Sequence, residues 1–192
     1  MTTTMEKPAK MAMNGVDVPT LAATLGAVRE DRSLARFTFR ADGEWLSGTH
    51  SQTTFSSFFG AGAEQCHDRP QTVHGDHPSV LCGQGNGATP VELLLAALSA
   101  CITAGIGNIA AMRQIELDSV ETTVEGDIDL QGIFGMNDTV RNGFSGIRAT
   151  FRIAGNADRH ELQRIVEQSI ARSAVFDVLS NGVPVTITAI AN

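Results

Sequence analysis

The 192-residue sequence has no tyrosine, a single tryptophan and three cysteines, and only 18% of it is charged. Each scarcity excludes something. Cys66, Cys82 and Cys101 are too few and too unevenly spaced for a disulfide framework, which points to a reducing, cytoplasmic setting. Fourteen Lys and Arg stand against 21 Asp and Glu, a net charge of −7, and no run of five basic residues occurs. Nucleic acid and anionic membrane surfaces both require a clustered positive patch, so neither is an expected partner. The first fifteen residues have neither apolar periodicity nor a hydrophobic stretch, and they read as a tail, not a signal peptide. No P-loop, dinucleotide fingerprint or Gly-x-Ser-x-Gly elbow is present, and no cofactor is expected. The length fits one domain over 17–192 behind a flexible segment 1–16.

What the sequence does hold is a run of twenty residues without charge, Leu93 to Met112. At about 1.5 Å per residue it is long enough to cross a bilayer. Ser99, Thr103, Asn108, two glycines and six alanines make it a poor span, however, and a helix surrounded by protein is the better reading. Thr89-Pro90-Val91-Glu92 supplies a capping box with Pro at the first helical position, and Arg113 suits the carboxyl end, so a central buried helix is expected over 90–113. Ala97, Ala100, Ala104, Gly105 and Gly107 let other backbones come close.

Around it, 17–33 carries Leu21, Leu25 and Val28 at helical spacing, and 35–55 alternates as a hairpin about a turn at 41–43. Residues 59–89 are rich in Gly, His, Asp and Pro and read as loop. Leu117 to Leu130 and Ile147 to Ile153 alternate as strands. A second helical segment is expected over 158–180, with Leu162, Ile165, Val166 and Ile170 on one face, and Val183 to Ile190 is expected as a closing strand. The class is α+β.

Two groups of residues are candidates for binding. Cys66, His67, His74, Asp76, His77 and Cys82 lie within seventeen residues, and sulfur with imidazole suits late transition metals. Their spacing fits no standard zinc module, so no metal is expected; His74, His77 and Cys82 are the candidate ligands if one binds. Phe134, Met136, Phe144 and Phe176 are candidates to line an apolar pocket, against the plainer role of core or subunit contact. Trp45 suits strand packing and His160 a solvated helix face.

The segment Gly87-Ala-Thr-Pro-Val-Glu-Leu-Leu-Leu-Ala-Ala-Leu-Ser-Ala-Cys101 resembles the Gly-x-x-Pro-Glu-x-Leu-x-x-Ala-x-x-x-x-Cys pattern of the osmotically inducible protein C and organic hydroperoxide resistance (OsmC/Ohr) family. The likeness continues through Leu117–Asp129, Ser173-Ala-Val-Phe-Asp and Val183-Pro-Val, and covers residues 35 to 190, with an upstream portion like that of the longer OsmC-like branch. It implies antiparallel sheets wrapped around two central helices in an intertwined homodimer, and reduction of organic hydroperoxides by a thiol in the oxidative stress response. Cys101 matches the family's attacking cysteine.

The departures are as informative. Where the family has a resolving cysteine this sequence has Ser173, and a hydroxyl cannot form the disulfide. Val91 stands where the catalytic Glu would be. Glu92, nine residues before Cys101, is about 180° around the helix from it and is better placed for the cap. Arg36, Arg40 and Arg141 are candidates for the activating Arg by location only. Cys82 is a candidate resolving thiol, since seven extended residues reach ~23 Å against ~18 Å of helix rise from Thr89 to Cys101. A cysteine buried among apolar residues, with no neighbouring Arg or His, has a raised pKa and is inert. Two functions follow: a peroxidase acting through Cys101 on a small hydrophobic peroxide with an external thiol reductant, or a non-peroxidatic relative binding an apolar or electrophilic small molecule at the dimer interface.

Overall fold

The computed structural model describes residues 12–191, so most of the expected amino-terminal tail lies outside the described residues. Contacts divide the chain into two compact units, Met1–Leu94 and Leu95–Asn192. The last residues before the first helix are ordered where a tail was expected. Ala12–Met13 (β1) pairs with Val16–Asp17 (β2) around Asn14-Gly15, both at positive φ, the turn that Asn-Gly favours.

In the first unit, Val18–Glu30 is a helix (α1) capped by the Asp17 carboxylate, which accepts the Thr20 N–H. Thr38–Phe39 (β3) and Asp42–Ser47 (β4) both pair antiparallel with His50–Gly60 (β5), at Thr38↔Phe59 and Asp42↔Thr54. The hairpin therefore turns at Gly48-Thr49, where Ser47 pairs with His50, and not at 41–43. Residues 40 and 41 merely interrupt one edge strand.

The segment expected as loop from 59 is largely strand. Ala63–Gly75 (β6) pairs with β5 through a two-residue turn, Ala61-Gly62, whose φ values of 50° and 81° match the right-handed twist of a hairpin. Polar composition concealed it, because pairing partners hold such a strand without an apolar face. Between Phe55↔Gln71 and Ser57↔Cys66 the register slips, and Pro70, which has no N–H to donate, falls in that irregular stretch.

Pro90–Met112 forms the central helix (α2). Its capping box is in place: the Thr89 N–H donates to Glu92 Oε2 at 2.8 Å and the Glu92 N–H to Thr89 Oγ1 at 3.3 Å. Length and a mean hydropathy of 1.9 would suit a membrane span, but Leu98, Ile102, Ile106 and Ala110 run down one face into a protein core.

That core belongs to the second unit. Leu117–Asp127 (β7) pairs antiparallel with Gly146–Gly155 (β8), and Val120, Val124, Ile147, Phe151 and Ile153 pack on the α2 stripe. Leu130 opens the short helix Leu130–Ile133 (α3) instead of ending the strand, because the Asp129 carboxylate caps it. Arg159–Ala171 (α4) adds Leu162 and Ile165. Each fully buried aliphatic side chain contributes about 1.5–3 kcal/mol. The two helices touch closely. Ser169 Oγ donates to the Ile102 carbonyl at 2.6 Å, and a Cβ on Gly105 would lie 2.2 Å from that hydroxyl.

The second helical segment breaks at Ser173, which caps Ala174–Asn181 (α5) by accepting the Phe176 N–H at 3.1 Å. Val183 to Ile190 alternates like a strand but pairs with none of the described residues. Strands need a neighbour, and here Val185 and Ile187 are 76% and 87% exposed.

Candidate functional site

The break at Ser173 sets the site. Cys101 stands midway along α2, and Ser173 and the first turn of α5 face it. The Ser173 hydroxyl donates to Cys101 Sγ at 3.1 Å while its oxygen caps α5. The cap bond uses one of the two oxygen lone pairs, and the hydroxyl proton is given to the sulfur, which favours the anionic form.

Burial pushes the Cys101 thiol up; the Ser173 hydroxyl and the backbone N–H groups of Val175 and Ala174 pull it down, and the balance lies below an ordinary cysteine. The amino-terminal end of a helix favours negative charge for the same reason that its amides lack partners. Of the two readings of Cys101, inert core residue or reactive thiol, this environment favours the second. The stabilising groups are main-chain amides and a hydroxyl, and among the described residues no charged side chain takes part. The sequence marks the helix start alone, with Ser173 at a cap position and Asp177 in the following turn.

The other expected participants have surroundings of their own. The Glu92 carboxylate is committed to the cap, as its helical position implied. Arg40 forms a two-pronged pair with Glu64, while Arg36 and Arg141 are exposed. Cys82 is an exposed free thiol in the first unit, at a left-handed backbone position of φ 64° after the turn Ser79–Leu81. Of the apolar candidates, Phe176 lies on the first turn of α5, and Phe144 packs where a Cβ on Gly126 of β7 would stand. Phe134 and Met136 are exposed beyond α3. Phe176 gives its N–H to the same Ser173 hydroxyl that meets the cysteine.

Within the Cys/His-rich segment the loop is organised around Asp76. Asp76, 1% exposed, accepts hydrogen bonds from Thr49 Oγ1, from the His77, Gln84 and Asn86 N–H groups and from Asn86 Nδ2, at 2.5–3.2 Å. These hold its carboxyl far below the usual range despite its burial. It is the knot of the loop before α2. Among the described residues, no group of three or more His, Cys, Asp or Glu gathers where a metal ion could sit.

An α+β chain with a cysteine presented by its central helix to the start of a later helix defines a class of thiol-bearing proteins. The OsmC-like protein family profile matches residues 83–188, and the chain belongs to that family. No curated protein matches the sequence. Among solved structures, the chain is similar to an OsmC-like protein from Mycoplasma pneumoniae, with 14% identity and a TM-score of 0.56 over 75% of this chain and 88% of that one. An OsmC-like protein of unknown function from Vibrio cholerae gives 14% and 0.55 over 74% and 94%. An organic hydroperoxide resistance protein, OsmC, from Legionella pneumophila gives 18% and 0.51 over 75% and 91%. At these identities the likeness is one of fold.

Proposed function

We propose that the protein reduces organic hydroperoxides through Cys101, with a thiol from outside the chain completing the cycle. One observation carries the reading: the Cys101 sulfur receives the Ser173 hydroxyl at the amino-terminal end of α5, which favours thiolate. The thiolate attacks the distal peroxide oxygen, a sulfur–oxygen bond forms as the O–O bond breaks, and the departing alkoxide takes a proton to become an alcohol. Sulfur is oxidised by two electrons to sulfenic acid and the peroxide is reduced by two. Ser173 then offers no second sulfur. An external thiol displaces water from the sulfenic acid, and another releases Cys101 as thiol and leaves as disulfide. Family membership and the hydroperoxide resistance protein among the structural relatives support the same reading.

The protein acts in this proposal as a homodimer in a reducing compartment. Exposed Val183, Val185, Ile187 and Ile190 on an unpaired carboxyl-terminal segment argue for a second copy.

Cumene hydroperoxide consumption with a dithiol reductant, compared between wild type and Cys101→Ser, tests the reading. Turnover lost in the variant supports it; equal, slow rates in both overturn it in favour of a relative that binds an apolar or electrophilic molecule without reducing it. Among the described residues no charged side chain acts on the thiol, which favours that second reading. A Cys82–Cys101 disulfide after one equivalent of peroxide would make Cys82 the resolving thiol instead of an external one.

A further inference from the structure

Strand pairing brings together two histidines that the sequence keeps 24 residues apart. His50 opens β5, and His74 lies near the end of β6. The register sets Gln52 opposite His74 and Ser51 opposite Gly75, so His50 and His74 are diagonal neighbours on one face of the sheet. Nε2 of His50 is 2.9 Å from Nδ1 of His74, the ring centroids are 5.1 Å apart and the planes meet at 38°. Both side chains are half-buried.

We propose that this pair is a two-histidine site for a divalent transition-metal ion, typified by nickel(II). Two facing imidazole nitrogens can be bridged by one proton, with one ring donating and the other accepting, or both can turn a lone pair onto a common cation. The 2.9 Å separation is that of the proton-bridged pair. Two imidazole nitrogens on one cation with bonds of about 2.0–2.1 Å lie roughly 3 Å apart, so a small rotation of the rings converts one arrangement into the other. Side-chain rotation aims the lone pairs, so the strands stay in place.

Imidazole suits ions of this kind. Asp76, the nearest carboxylate in sequence, has its oxygens occupied by loop donors. His77, expected as a co-ligand, sits past the end of β6 with its N–H on Asp76. With two protein ligands, water completes the coordination, and the ion exchanges more readily than in a closed site. The site is independent of Cys101 and of the chemistry proposed for it.

Titration of untagged protein with nickel chloride, followed by calorimetry and by proton NMR of the imidazole signals, is the test. One ion per chain is expected, with paramagnetic broadening at His50 and His74 among the five histidines. His50→Gln and His74→Gln should each weaken binding at least tenfold. The wild-type spectrum decides even if a variant fails to fold. Absence of nickel binding, broadening confined to His67, His77 or His160, or unchanged affinity in both variants overturns the proposal.

Discussion

Ser173 uses both sides of one hydroxyl, capping α5 with its oxygen and giving its proton to Cys101. Two outcomes are coupled through it. Ser173→Ala removes a donor that holds the thiol pKa down, so the pH midpoint of Cys101 alkylation by iodoacetamide should move upward. It also removes a cap worth ~1 kcal/mol. Ser173→Thr, which keeps the hydroxyl, should restore most of the alkylation profile, an outcome that a purely structural role would not distinguish. The position of Cys101 and the diversion of Glu92 into the cap were legible from helix geometry. The activation was not, because its donors include the amides of Ala174 and Val175, and main-chain amides look the same in every sequence until their direction is known.

At the scale of elements, α2 and α4 meet where Gly105 leaves room for Ser169. Gly105→Ala would put a methyl 2.2 Å from the Ser169 hydroxyl. Overpacking of this kind costs about 1–3 kcal/mol, against ~1 kcal/mol that Ala gains over Gly inside a helix. Thermal unfolding should therefore show a lower midpoint, and adding Ser169→Ala should recover part of it. Asp76 makes a prediction of opposite form, in pH. Its folded carboxyl titrates far below the unfolded value of about 3.9, so the unfolded chain takes up that proton first. The stability it supplies is complete above about pH 4 and is lost as pH falls. Asp76→Asn should lower the urea midpoint at pH 7 and flatten its decline between pH 4 and 2. Among the elements themselves, periodicity located α2, β7, β8 and α4 well, since their apolar faces meet a core. It missed β6, whose partner and not its composition makes it a strand, and it overstated 183–190, whose pattern is that of a strand but which has no paired edge beside it.

The whole molecule leaves apolar surface in the open at its carboxyl end, where Val185 and Ile187 are almost wholly exposed. In the dimer proposed here that surface is covered by a second chain. Ile187→Lys should then shift the sedimenting species from dimer toward monomer. Wild-type protein that sediments as a monomer would remove the dimer from the proposal. The buried stripe of α2 has a related history in time. Everything that covers Leu98, Ile102 and Ile106, from β7 and β8 to Leu162 and Ile165 of α4, is made after it. At ~5–20 residues per second, synthesis from Met112 to Ile165 takes roughly 3–10 s. For that interval the nascent chain carries a charge-free helix-forming segment of membrane-span length whose packing partners in β7, β8 and α4 are still unmade.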